Sequence, residues 1–249
     1  MTGQTVAAGN GCAGNARVFP FQIQHMQCGH QLAPLAVVNT LREVEAISGT
    51  DQSRQGPIYS FVPAHGASRA GAVAEHLSRT LAEGFGRSVL LANFAQREDR
   101  ILESRRQSVL DARELHPSQL GPAFENARER YSVICADLSG AEEARELEVL
   151  RASDAVFLVG SADWASLELT REKAEWLRSA DLGERCGLLL WHASDGATAE
   201  QAEEYTGLPV CSLVDREEHL ERLARWLAAQ HAKVEASEKV EEHEYALAS

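Results

Sequence analysis

The chain has 249 residues, 44% of them hydrophobic and 24% charged, with a formal net charge of -13. That is enough chain for a full core in one α/β domain, and the negative charge, offset by no Lys/Arg run, argues against DNA or RNA as the main partner. Five scattered cysteines that never form C-x-x-C, no apolar stretch near the ~18 residues a membrane span needs, and no secretion signal at the N-terminus together point to a reducing, cytoplasmic setting.

In chain order, residues 1–16 are rich in Gly and Ala with little to bury and read as a disordered arm. Residues 17–33 read as a short irregular or extended piece, and Pro34 to Ile47, with Leu35, Val38, Leu41 and Val44 at three-residue spacing, as a helix. After a polar loop, strands and helices alternate. Ile58–Val62 is a short apolar strand. Ala70–Glu83 is a helix with Val73, Leu77 and Leu81 on one face, stopped by Gly84 and Gly86. Ser88–Ala92 is a buried strand, residues 96–118 are charged and irregular, and Pro122–Arg130 is a short helix. Tyr131–Ala136 is a third strand, Glu142–Arg151 a helix, Ala155–Val159 a fourth strand, Trp164–Ser179 a helix and Gly187–Trp191 a fifth strand. Residues 194–205 fit a helix, Pro209–Val214 a sixth strand and Arg216–Gln230 an amphipathic helix, before an acidic tail over 232–249.

Continuously apolar strands separated by helices predict a three-layer, doubly wound, mostly parallel sheet with helices on both faces. One such domain is expected over residues 17–231. Ligands of these folds bind at the carboxyl ends of the strands. The loop after the first strand, Pro63 to Gly71, together with the helix N-terminus behind it, has the frame of an anion site. It lacks the G-x-x-x-x-G-K-[ST] pattern, whose Lys reaches the phosphates and whose hydroxyl holds Mg²⁺. A plain strand-to-helix turn that needs Gly for tightness accounts for the loop equally well.

The longer segment FVPAHGASRAGAVAEHLSRTLAEGFGRSVLLANFAQR resembles the nucleotide-binding segment of the ParA/MinD-type P-loop ATPases. It is most similar to the cytoplasmic domains of bacterial tyrosine autokinases of polysaccharide export. YSVICAD, ASDAVFLV, GLLLW and EEYTGLPVCSLVDREE resemble that family's later strands, so the likeness covers about residues 34–230, mostly in framework. The resemblance implies a P-loop NTPase-like fold whose phosphate-loop strand is central in the sheet. Carried over residue by residue, it places the family's phosphate-loop Lys at Ala70, the following Ser/Thr at Gly71 and the Lys that opens the loop at His65. The acidic pair after the second strand falls at Asn93 and Ala95, with Arg97 kept. The Walker B Asp is kept as Asp137, and the base-contacting Asn falls near Trp191. Residues 57–86 contain no Lys, so a shifted loop restores nothing.

These losses lead to the expectation of a catalytically degenerate protein, a pseudo-ATPase or pseudokinase. Its cofactor would be none, or ATP/ADP held weakly at a phosphate or anion site of His65, Gly66, Ser68, Arg69, Gly71, Asn93 and Arg97, with no metal. Its role would be that of a regulatory or interaction subunit in bacterial exopolysaccharide synthesis or export. Its partner would be a protein, an active relative or an export component, in a homo- or hetero-oligomer. The rival is an active ATPase or tyrosine kinase whose non-standard site uses Arg69, Asp137 and Arg97. A flavodoxin-like domain is the third reading, separable by topology.

Other candidates read more plainly. His25, Cys28 and His30 fit no zinc spacing. Cys135 reads as core, not nucleophile. His192 and Asp195 follow the fifth strand, where they could contact a ligand, but they read more readily as loop residues of no special role. Trp164, Trp176 and Trp226 are expected to be buried on their helices. Trp191 would stack on a base or plug the pocket, and the other losses favour the plug. Tyr245 stands alone among Glu residues, unlike the Tyr-rich tails of the kinases.

Overall fold

The computed structural model describes residues 56–66, 68–95, 106–191 and 196–229. Seven parallel strands form one sheet in the order β3-β2-β4-β1-β5-β6-β7. They are β1 (Ile58–Pro63), β2 (Val89–Asn93), β3 (Gln107–Asp111), β4 (Val133–Asp137), β5 (Ala155–Ser161), β6 (Cys186–Trp191) and β7 (Val210–Leu213). The helices are α1 (Ala70–Glu83), α2 (Pro117–Arg130), α3 (Glu143–Ala152), α4 (Trp164–Ser179), α5 (Ala199–Thr206) and α6 over 217–229.

Every residue of β2 and β4 is buried, and so are the first five of β1. A sheet covered on both faces selects such uninterrupted apolar runs. Alternate side chains feed two cores. Ile58, Ile134, Val156 and Leu188 pack with Leu120, Phe124, Leu150 and Leu167 from α2, α3 and α4. Tyr59, Phe61, Val133 and Phe157 pack with Val73, Leu77 and Leu81 of α1 and Leu223 and Leu227 of α6. Phe61 and Phe157 stack there with centroids 5.5 Å apart.

β1 pairs with β4 on one side and β5 on the other, while β2 is one strand removed. The phosphate-loop strand is therefore central, as the resemblance implies, and a flavodoxin-like order, in which the first strand pairs with the second, is excluded.

Several local expectations are corrected. The stretch read as irregular over 96–118 contains the edge strand β3, aligned with β2 from Val89↔Gln107 to Asn93↔Asp111. Its residues are only half-buried or exposed, so it carries little apolar signal. Helix α2 begins at Pro117, not Pro122. His116 caps it, accepting from the Ser118 N–H, and Gln119 Oε1 accepts from the His116 N–H, a reciprocal box built on a residue seldom read as a cap. Helix α5 starts at Ala199, not 194, because Thr198 and Gln201 form a second capping box. Trp164 is 50% exposed, not buried. The expectations for residues 1–55, Arg97, His192, Asp195 and the tail lie outside the described residues.

Candidate functional site: a phosphate-loop frame at the carboxyl ends of the strands

The parallel sheet brings the ends of β1, β2, β4, β5 and β6 to one rim. Asn93 is aligned with Asp137, and Phe61 with Asp137 on the other side. Ser161 at the end of β5 is aligned with Trp191 at the end of β6. The loop from β1 runs onto this rim and turns into α1.

Within that loop, the Ser68 N–H donates to the His65 carbonyl at 2.9 Å, closing a tight turn. Gly66 is exposed, and a Cβ built there meets no atom within 4 Å. Its φ lies outside the left-handed region. Among the described residues, nothing there sterically requires glycine at Gly66. The buried atoms His65 Nε2 and Ser68 Oγ find no hydrogen-bond partner among the described residues. Arg69 occupies the N-cap of α1 without a side-chain cap bond. Its guanidinium lies 4.8 Å from the ring centroid of Trp191.

The decisive contact lies one turn further. Gly71 is buried on α1, and a Cβ built on it would stand 2.6 Å from Asp137 Oδ2 and 3.2 Å from Asp137 Cγ. The carboxylate thus lies against the Gly71 Cα, in the space where a Ser or Thr side chain would project. Asp137 is itself fully buried, and its Oδ1 accepts from the Ser139 N–H at 3.0 Å. Ala70, which the sequence resemblance aligns with the phosphate-binding Lys, is buried in the α1 face of the core.

At the end of β2, Asn93 is 5% exposed and turned onto its own backbone. Its Oδ1 accepts from the Ala95 N–H at 3.0 Å, and its Nδ2 donates to the Ala95 carbonyl at 3.4 Å. Both amide atoms are consumed in a local turn. Mg²⁺ with a nucleotide is the group this fold implies, and these residues do not fit it. At the positions that the sequence resemblance aligns with the family's hydroxyl, Lys and β2 carboxylate stand Gly71, with Asp137 packed against it, Ala70 and the self-bonded amide of Asn93. Among the described residues no cluster of three or more His, Cys, Asp or Glu could hold a metal ion.

The structure therefore brings together His65, Gly66, Ser68, Arg69, Gly71, Asn93 and Asp137 on one rim, while Arg97 lies outside the described residues. It adds Ser139, whose backbone N–H fixes Asp137. It also pairs Arg69 with Trp191, each visible in the sequence but far apart along it. Cys135 is buried in β4, and burial pushes its thiol up to about 12, which suits core and not catalysis.

No protein-family model matches the chain, and a search of curated proteins finds no significant match. Solved structures do match. The crystal structure of a ParA family ATPase from Chlorobium tepidum TLS superposes with a TM-score of 0.58 at 14% identity, covering 73% of this chain and 93% of that one. The MinC:MinD cell division protein complex of Aquifex aeolicus gives 0.59 at 13% identity, covering 70% and 96%. The fold is that of the ParA/MinD ATPases. A plasmid partition protein from Borrelia burgdorferi, with a TM-score of 0.52 at 12% identity and 72% and 99% coverage, shares it. At these identities the ParA/MinD likeness fixes architecture alone. No helix among the described residues is long and apolar enough to cross a membrane.

Proposed function

We propose that this chain is a catalytically degenerate ParA/MinD-type P-loop protein that acts as a regulatory or interaction subunit. The observation that carries the reading is the packing of the Asp137 carboxylate against Gly71. Phosphoryl transfer depends on cancelling charge at the γ-phosphate with a cation and Mg²⁺. Loss of one such contact typically costs ~10²–10³ in rate. Here several are missing together. Arg69 is a cation near the loop, but it stacks on Trp191 and sits at the helix cap.

Likeness of the sequence to the tyrosine autokinases supports a finer reading, a subunit in bacterial exopolysaccharide synthesis or export, in a homo-oligomer or beside an active relative. One of the similar structures is a MinC:MinD complex, which is in keeping with a protein partner. Steady-state ATP hydrolysis and autophosphorylation of the purified chain test the reading. The expected result is no turnover above that of Asp137→Asn. Turnover that Asp137→Asn abolishes supports the rival enzyme instead.

A further inference from the structure

The large hydrophobic side chains exposed among the described residues are Trp164 at 50%, Leu169 at 45% and Tyr205 at 37%. Trp164 and Leu169 lie on α4 and Tyr205 on the adjoining α5. Trp164 and Tyr205 meet edge to face with centroids 5.7 Å apart. Such a pair is rigid and amphipathic, the chemistry enriched at the centre of protein interfaces.

The pair is fixed from behind. The Tyr205 hydroxyl donates to Glu168 Oε2, and Arg171 bonds Glu168 at 2.7 Å and Glu175 at 2.6 Å while its guanidinium lies 5.8 Å from the Tyr205 centroid. Tyr205 is thereby held before any partner arrives, which reduces the ordering cost of binding. Trp164 differs from two other tryptophans of the molecule. Trp176 has Lys173 over its ring at 4.1 Å, and Trp191 has Arg69 at 4.8 Å. Trp164 has no cation over it among the described residues.

The surroundings decide the sign of a partner. From Asp163 to Ser179 and from Thr198 to Thr206 there are carboxylates at Asp163, Glu168, Glu172, Glu175, Glu200, Glu203 and Glu204, against cations at Arg171, Lys173 and Arg178. Lys173 is drawn inward to the buried Glu146 at 2.7 Å, and Arg178 donates to the Thr206 carbonyl. The two helices are therefore anionic on balance, with Glu172 and Glu204 exposed. An anionic lipid surface or nucleic acid is repelled by it, and so is a second copy of a chain carrying -13.

We infer that the α4–α5 face is a docking surface for a basic, arginine-bearing segment of a partner protein, with one guanidinium stacked on Trp164 and further cations of the segment drawn to the exposed carboxylates of Glu172 and Glu204 elsewhere on the two helices. Guanidinium on indole is the favourable cation–π pairing, and the excess of carboxylates on the two helices adds longer-range attraction for a basic segment. The inference concerns a face remote from the phosphate loop in sequence and rests on the interaction role proposed above, but its test needs no nucleotide.

The test is titration of the full chain with an acetylated, amidated peptide of alternating arginine and glycine, followed through the indole N–H resonances, with Trp164 assigned from Trp164→Phe. The expected result is a saturable shift of the Trp164 signal larger than those of Trp176, Trp191 and Trp226. Affinity should fall roughly threefold to tenfold in Trp164→Ala and also in Glu172→Gln/Glu204→Gln. It should stay unchanged in Glu129→Gln/Glu221→Gln, which removes two exposed carboxylates elsewhere. Equal loss in both charge variants, with Trp164→Ala unaffected, means non-specific attraction and overturns the proposal. Concentration-dependent self-association abolished by Trp164→Ala assigns the face to a second copy and overturns it too. If ATP turnover is found while the peptide result holds, the degenerate-site reading fails and the docking surface stands.

Discussion

At the residue scale, the site turns on one missing methylene. A glycine inside a helix is ordinarily worth replacing, since Gly costs roughly 1 kcal/mol relative to Ala. Gly71 should reverse that sign. Its Cβ would stand 2.6 Å from a carboxylate that is fully buried and tied to the Ser139 N–H, so the carboxylate has little room to yield. Gly71→Ala should lower stability by about 1–3 kcal/mol in urea unfolding. The same change in an Asp137→Ala background should cost clearly less, a coupling that a double-mutant cycle reads directly. Gly66→Ala, with open space and an ordinary φ, should be neutral to slightly stabilising, within about 1 kcal/mol. Equal effects at the two glycines would contradict the packing described here. The thiols give a second check. Burial pushes Cys135, Cys186 and Cys211 each up to about 12, so thiolate is scarce at neutral pH. Alkylation mapped by mass spectrometry should leave the buried Cys135 and Cys186 untouched in the native chain, reach the half-buried Cys211 only slowly, and modify all three after unfolding. Fast native labelling of Cys135 would contradict its assignment to the core.

At the scale of elements, helix caps decided boundaries that hydrophobic periodicity left ambiguous. Helix α4 spans the residues expected from its apolar spacing, and Asp163 caps it, accepting from the Ser166 N–H at 2.9 Å. Hydrogen bonds from the Ser166 hydroxyl first and the Ser166 N–H second, with help from Ser161, hold the Asp163 carboxyl down at about 2 from its ordinary 3.8. A depressed carboxyl contributes stability that is fully present above the ordinary value and lost as the pH falls through about 2. Asp163→Ala should therefore cost about 1 kcal/mol at neutral pH. The difference from the parent chain should shrink in acid, as measured by thermal unfolding across that range. A pH-independent difference would assign the effect to packing. Helix α2 was read from the wrong proline. Pro122 looks like a helix start, yet it lies inside a helix already begun at Pro117 under the His116 cap. Histidine gives no sequence signal as a cap, and that is why the first turn was missed. Strand β3 was missed because an edge strand is half-buried and owes its existence to pairing with β2, which no local pattern encodes.

At the scale of the molecule, the sheet order was accessible through resemblance and not through residue periodicity alone. Alternating apolar strands and amphipathic helices dictate a covered parallel sheet, but the central place of β1 between β4 and β5 is a long-range fact. The candidate site was readable in part. The absences at Ala70 and Gly71 and the amide at Asn93 are visible in the chain. How the fold fills those positions is not, because Asp137 reaches Gly71 of α1 from the end of β4 and Asn93 closes on Ala95. In the function proposed above, they leave a phosphate-loop frame in which Asp137 packs where the resemblance expects the metal-binding hydroxyl at Gly71. Calorimetric titration with ATP, in Mg²⁺ and in EDTA, tests this most directly. The account predicts that any binding is at most weak, in the millimolar range, and indifferent to Mg²⁺. Micromolar affinity that requires Mg²⁺ and disappears in Asp137→Asn would contradict it.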